Sequence, residues 1–293
     1  MKVLVTGASG QLGAYLLREL VGRGLPVVAW SGSCGGQREG IALEAVDLGN
    51  AAAIREAFDR VRPAAVIHAG ALARVDECFR DPDRALAVNA RGTDVLAELT
   101  HSADARLVYV STDLVFDGEL APYREHDPAA PLSAYGRSKA AGEEAARRNP
   151  NSVVARVSLM FGPSRCGRPG FFDQQVGSLR EHRPITLFAD EWRTPLALHT
   201  AARALAAVAL AEVVGTLHIG GPERMSRFEM GVRLAQHLGL DPSLIVSSHR
   251  AAAGFAEPRP RDVSLDSSRW RGLFPTVPWP AFEQAASQMF TNQ

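Results

Sequence analysis

Tyr135 and Lys139 lie four residues apart in Ser133-Ala134-Tyr135-Gly136-Arg137-Ser138-Lys139. On a helix this spacing puts a phenol and an ammonium on one face, about a turn apart. An unperturbed phenol has a pKa of about 10, too high for efficient proton exchange near neutrality. A neighbouring cation favours its ionised form, so the pair reads as a proton-transfer device. The same spacing also describes an ordinary solvated helix face, so the residues upstream carry weight. The apolar run Leu107 to Ser111 leads straight into Thr112-Asp113-Leu114-Val115-Phe116-Asp117-Gly118. Side chains at the carboxyl end of a sheet strand point into the crevice where a ligand sits. A hydroxyl of Ser111 or Thr112 there can polarise a carbonyl beside Tyr135. Asp113 can orient substrate hydroxyls or brace the turn that follows.

A second constellation lies at the start of the chain. Gly7, Ser9, Gly10, Gln11, Leu12 and Gly13 form a glycine-rich turn between an apolar run and an amphipathic one. The first glycine permits a tight turn, the second lets a pyrophosphate approach the backbone, and the third brings helix and strand together. The helix N-terminus then holds the anion with its amides and dipole. The next apolar run ends in Trp30-Ser31-Gly32-Ser33, with no acid to bind an adenosine ribose. Ser31, Ser33 and Arg38 can instead donate to a 2′-phosphate, which predicts NADP(H) in preference to NAD(H). Asp47 and Leu48 border the adenine on this reading, although Asp47 also suits the N-cap of a helix starting at Ala51. Ala69, Gly70 and Ala71 are small enough to admit the nicotinamide ribose, and His68 before them reads as a strand-end residue rather than a catalyst.

These residues need a scaffold that brings distant strand ends together. Apolar runs alternate with amphipathic ones through the first half. Strands are predicted at Lys2–Thr6, Pro26–Trp30, Ala42–Val46, Ala64–His68, Leu107–Ser111 and Val153–Val157. Helices are predicted at Gln11–Val21, Ala51–Arg60, Pro82–His101 and Ser133–Arg148. Parallel strands joined by right-handed helical crossovers predict an α/β fold of the Rossmann type with a doubly wound parallel sheet. After Gly162 the regularity weakens. Residues 162–170 read as a loop, Phe171–Glu181, Thr200–Val213 and Ser226–Leu238 as helices, Thr216–Ile219 as a strand, and Ser247–Arg261 as irregular. The expected organisation is a cofactor domain over 1–162 and a smaller C-terminal substrate-binding lobe over 163–293, interleaved with the main sheet.

The 293 residues carry 32 basic and 32 acidic side chains and are 46% apolar, which describes a globular chain without a basic field for nucleic acid. Cys34, Cys78 and Cys166 form no CxxC pair, so neither a metal site nor a disulfide scaffold is expected, and a reducing cytoplasm fits. No stretch has the length of a membrane span.

Taken in order, TGASGQLG from Thr6, VDECFRDPDRALAVNARGT from Val75, VSTDLVFDG from Val110, YGRSK from Tyr135 and ARVSLMFGP from Ala155 resemble an extended short-chain dehydrogenase/reductase, specifically the dTDP-4-dehydrorhamnose reductase group. The resemblance covers most of the first 165 residues. It implies Thr112, Tyr135 and Lys139 as the catalytic triad, with Tyr135 protonating a carbonyl oxygen, Lys139 also holding the cofactor ribose and Asn89 supporting a helix beside the site. It also implies a keto-sugar or nucleotide-sugar as substrate and a homodimer as the assembly. Leu159 stands where the group usually has tryptophan, and Asp190-Glu191-Trp192-Arg193-Thr194-Pro195 matches its substrate-side segment only loosely. Arg193, Arg259 and Arg261 are the expected substrate contacts, with Asp113. A nucleotide-sugar epimerase uses the same tyrosine and lysine. A regulatory subunit like the beta subunit of methionine adenosyltransferase would bind NADP(H) without turnover.

Overall fold

In the computed structural model, which describes residues 1–291, Val3–Thr6 (β1) is a fully buried strand leading through the glycine turn into Gln11–Gly22 (α1). Val27–Ser31 (β2), the short Gln37–Arg38 (β3), Ile41–Ala45 (β4), Ala51–Val61 (α2) and Ala65–His68 (β5) follow. Val75–Arg80 (α3), Pro82–Leu86 (α4), a π-helical turn at Ala87–Arg91 and Gly92–Ser102 (α5) then run almost without interruption. Arg106–Thr112 (β6), Ala134–Ala146 (α6) and Ser152–Val157 (β7) complete the regular alternation.

The remaining elements are shorter and cross between layers. They are Met160–Phe161 (β8), Phe171–Arg180 (α7), Ile185–Phe188 (β9), Trp192–Arg193 (β10), Leu196–Ala197 (β11) and Leu198–Ala209 (α8). Gly215–Ile219 (β12), Met225–Ser226 (β13), Arg227–His237 (α9), Ile245–Ser248 (β14), Ser268–Leu273 (α10) and Phe282–Thr291 (α11) end the described chain.

Eight strands form one sheet in the order β12-β7-β6-β5-β1-β2-β4-β3, all parallel except the edge strand β3. This is the doubly wound α/β architecture expected from the alternation. Leu12, Leu16 and Leu20 of α1 pack with Ala201, Leu205 and Val208 of α8 on one face of the sheet. Ile54 and Phe58 of α2 pack with Leu96 and Ala97 of α5 on the other. Covering both faces is what lets every residue of β6 be buried. The strand order reverses between β1 and β5, so the carboxyl ends of those strands splay apart and leave a crevice.

Several boundaries differ from the sequence reading. The helix expected over Pro82–His101 is split by the π-helical turn, and α3 precedes it. Strand β14 enters a region read as irregular, and the two-residue strands β8, β10, β11 and β13 were not anticipated because so short a strand shows no periodicity. Past residue 162, β12 joins the main sheet beside β7 and α8 packs against α1, so this half supplies part of the sheet and its cover. The last two residues of the range 163–293 lie outside the described residues. Among the described residues no helix is long and apolar enough to cross a membrane.

Candidate active site

A cleft of about 840 Å³ opens at the carboxyl ends of the strands, over the switch point between β1 and β5. Gly7, Ser9, Gly10, Gln11, Leu12 and Gly13 line one end. Gly7 has φ +69°, and a Cβ there would come within 2.7 Å of the Gly70 Cα, so strands β1 and β5 can approach only with glycines. A Cβ on Gly13 would overlap the Gly7 carbonyl oxygen. The first turn of α1 has no side-chain cap and no acid, which leaves its amides and positive dipole end for an anion. These residues fit the pyrophosphate of a dinucleotide.

His68 braces this turn from below. The Gly70 amide donates to the Thr6 hydroxyl at 3.0 Å, and that hydroxyl lies 2.7 Å from His68 Nδ1. His68 Nε2 lies 3.0 Å from the Thr93 hydroxyl, which donates to the Asn89 carbonyl at 2.8 Å. The Thr93 proton is therefore committed, so Nε2 carries hydrogen and Nδ1 accepts from Thr6. That neutral tautomer agrees with a pKa lowered to about 3, first by burial and then by the charge of Lys139. Asn89, on the π-helical turn, accepts from the Leu72 amide at 2.8 Å and donates to the Leu72 carbonyl and the Ser138 hydroxyl, tying the strand-end loop to α6.

Gly32, Ser33, Cys34, Asp47 and Leu48 line the end near β2, and Ala69, Gly70 and Ala71 line the wall beside it. Two sequence candidates do not reach the cleft from here. Ser31 is buried and donates to the Cys34 carbonyl, so it shapes the turn rather than facing a ligand. Arg38 donates to the carbonyls of Arg165 and Cys166 and clamps the loop after β8 onto β3. That loop instead presents Arg168 to the cleft, a residue the sequence reading passed over inside a glycine- and proline-rich stretch. Asp47 is not the cap of α2. Asn50 takes that place, accepting from Ala52 and Ala53, while Asp47 accepts from Gly49 at 2.9 Å.

Further along, Thr112 ends β6, and Tyr135 and Lys139 face the cleft from the first turns of α6, whose N-cap is Ser133 accepting from Gly136 at 3.1 Å. The fold thus gathers the three residues from two separate elements. Ser111 does not compete with Thr112, because its hydroxyl donates to Glu143 Oε1 at 2.6 Å. Thr112 interacts with the Tyr135 phenol and favours its ionised form, but burial outweighs this, and together with the Asp113 charge it pushes the phenol well above the ordinary tyrosine range. Lys139 turns its ammonium over the Tyr109 ring, 4.1 Å from the centroid, and burial lowers its pKa to about 7 against the opposing pull of Glu143.

At the far end Asp113 is buried, accepting from Ser158 at 3.0 Å and Thr112 at 3.2 Å, with Arg193 Nε 3.6 Å away. Burial raises its pKa, and Arg193 and the two hydroxyls work against that rise. Arg193 also meets Glu191 at 3.2 Å and donates to the Trp192 carbonyl at 2.7 Å. It lines the cleft but is neutralised by two carboxylates. Arg261, a third sequence candidate, is exposed and outside the lining. Its neighbour Arg259 lines the cleft and stacks on Phe255, 3.8 Å from the ring centre. Arg227, which the sequence reading missed, opens α9 in the same wall. It is largely buried, lies over Phe171, and pairs with Glu191 only at 4.0 Å. Leu159 lines the cleft and packs beside Phe161 and Phe172.

The sequence model for the family described as RmlD substrate binding domain matches residues 1–293. The chain is 32% identical to a dTDP-4-dehydrorhamnose reductase of Streptomyces griseus, over 95% of its own length and 90% of that protein's. It is 30% identical to methionine adenosyltransferase 2 subunit beta of Pongo abelii, over 93% of its length and 82% of the relative's. A crystal structure of dTDP-4-dehydrorhamnose reductase from Bacillus anthracis in complex with NADP superposes with a TM-score of 0.89 at 24% identity, covering 100% of this chain and 99% of that one, and establishes the likeness of fold.

Proposed function

The chain belongs to the RmlD substrate binding domain family, and from that membership we propose that it is an NAD(P)H-dependent reductase of a nucleotide-sugar keto group, an oxidoreductase of the extended short-chain dehydrogenase/reductase type. The observation that carries this reading is the continuity of the cleft. One cavity runs from the glycine turn, past Thr112, Tyr135 and Lys139, to Arg227 and Arg259. A reduced nicotinamide dinucleotide, when bound, supplies the hydride.

The chain's own residues do the rest. Burial holds the Tyr135 phenol protonated, which is the form that gives a proton to a carbonyl oxygen during reduction. Thr112 fixes that oxygen beside the phenol. Lys139 holds the cofactor ribose and restores positive charge near Tyr135 after the proton has left. Arg227 and Arg259 offer guanidinium groups to a diphosphate, a chemistry for which arginine geometry is suited.

NADP(H) is the preferred cofactor on this reading. No acid lies at the end of β2, and Ser33 and Arg168 line that part of the cleft. Comparing kcat/KM for NADPH and NADH tests it, and a clear NADH preference would reverse the assignment.

The main experiment follows NADPH oxidation with a panel of nucleoside diphosphate 4-keto-sugars and free keto-sugars. Turnover that disappears in Tyr135→Phe while NADPH binding remains supports the reductase. The 30% identity to a methionine adenosyltransferase subunit favours one second reading, a cofactor-binding regulatory subunit. Tight NADPH binding with no oxidation of any substrate in the panel would favour that reading.

A further inference from the structure

The loop between β8 and α7 is fastened on both sides of the end of β2. On one side, a Cβ on Gly170 would come within 2.5 Å of Gln11 Nε2, so the loop rests on the start of α1, which follows β1. On the other side, Arg38 Nη1 donates to the Arg165 carbonyl at 2.7 Å and Nη2 to the Cys166 carbonyl at 3.2 Å. Arg38 stands on β3, which pairs with β4, and β2 lies between β4 and β1 in the sheet. The loop therefore bridges the carboxyl end of β2, where Gly32, Ser33 and Cys34 line the cleft.

Inside the loop the polar groups answer one another. The Ser164 hydroxyl donates to the Arg168 carbonyl at 2.5 Å. Asp173 accepts from the Ser164 amide through Oδ1 at 2.9 Å and from the Gly170 amide through Oδ2 at 2.7 Å, so both its oxygens are occupied. Burial pushes the Cys166 thiol up, but Ser164 and the charges of Arg168 and Arg38 outweigh it, which sets both arginines near this thiol. Their duties differ. Arg38 is spent on backbone carbonyls, whereas Arg168 is exposed, lines the cleft, and makes no side-chain hydrogen bond or ion pair among the described residues. Asp47, a carboxylate in the wall of the same cleft, accepts from the Gly49 amide, and the end of β2 carries no acid.

Given a nicotinamide dinucleotide in this cleft, as proposed above, we infer that Arg168 reads the adenosine 2′-phosphate and that Arg38 is its positioning residue, holding the loop without touching the nucleotide. Two N–H groups of one planar guanidinium fix two successive carbonyls of the loop. Less ordering is then left to be done when Arg168 meets the anion. The Arg168 guanidinium pairs with a phosphate that NADH lacks.

Fluorescence titrations with NADPH and NADH compare wild type, Arg168→Gln, Arg38→Gln and the double variant, with melting temperatures confirming that each is folded. Arg168→Gln should weaken NADPH binding about tenfold or more, the worth of a charge-assisted contact, and leave NADH binding within about twofold. Arg38→Gln should weaken NADPH selectively as well, and in the double variant it should add nothing to the loss from Arg168→Gln. Losses that add in the double variant would mean that Arg38 meets the phosphate itself and would overturn its part as a positioning residue. Equal weakening of both cofactors by Arg38→Gln would overturn that part too. A wild-type preference for NADPH that survives Arg168→Gln overturns the inference alone, whereas a wild type without preference overturns the NADP(H) assignment together with it.

Discussion

The Lys139 ammonium lies over the Tyr109 ring, 4.1 Å from its centroid, about one helical turn beyond Tyr135 on α6. Burial lowers its pKa to about 7 from the ordinary value of 10.5. The unfolded chain consequently holds more protons between about pH 7 and pH 10.5 than the folded chain, so stability of the cofactor-free protein rises with pH in that window. The slope from this group is up to about 1.4 kcal/mol per pH unit. Denaturant midpoints from pH 6.5 to 9.5 should rise in wild type and flatten in Lys139→Met. Equal slopes in the two proteins would show that Lys139 is not a buried, depressed amine.

Glu143 sits one helical turn beyond Lys139 and ties α6 to the sheet. It accepts from Arg156 Nη2 at 2.7 Å and Nε at 2.9 Å, and from Ser111. Burial pushes its carboxyl up, but Arg156 and Ser111 outweigh that and hold it low. Replacing Glu143 with leucine leaves the buried Arg156 charge unpaired and should cost about 3–5 kcal/mol of stability. Substituting Arg156→Met in the same chain should recover part of that loss, and urea unfolding of the two single variants and the double variant measures the recovery.

Gly13→Ala should damage both folding and cofactor binding. The new Cβ would overlap the Gly7 carbonyl oxygen, which is backbone and cannot swing aside. Overpacking of this kind costs about 1–3 kcal/mol, and the displaced turn should weaken NADPH binding about tenfold or more. Gly177→Ala is the control, since nothing lies within 4 Å of a Cβ at that helical position. Nucleotide fluorescence titration and thermal melting of the two variants check the contrast.

Arg227→Gln should separate binding of the nucleotide from the chemistry. Its guanidinium lies in the cleft wall with only a 4.0 Å pairing to Glu191. KM for a nucleoside diphosphate keto-sugar should rise about tenfold, because a charge-assisted contact is worth about 1.5–3 kcal/mol, while kcat changes little. Arg261→Gln, outside the cleft, should leave both parameters within about twofold. Steady-state kinetics in which Arg227→Gln leaves KM unchanged would remove Arg227 from the substrate site.

The buried strands and the glycine turn were legible in the chain because each is a local pattern. A run such as Leu107 to Ser111 is apolar for as long as a strand is covered on both faces, and the glycines stand where backbone must approach backbone. The same holds for Tyr135 and Lys139, whose four-residue spacing is a property of a single helix. Which ring the lysine lies over was not legible. The direction of the lysine depends on the Tyr109 ring, which arrives from β6.

The arginines mark where local pattern stops. Arg193, Arg259 and Arg261 look alike in sequence, yet one is neutralised by Asp113 and Glu191, one lines the cleft beside Phe255, and one is exposed outside it. Arg168 and Arg227 carry no sequence signal at all, and the fold brings both to the cleft. The sequence by itself determined the strand–helix alternation, the cofactor turn and the residue types for proton transfer, because propensity, hydrophobic period and glycine sterics act over a few neighbouring residues. Only the tertiary structure decided which charges are paired, which are buried and which face a ligand, because those depend on the dielectric and partners supplied by elements remote in the chain.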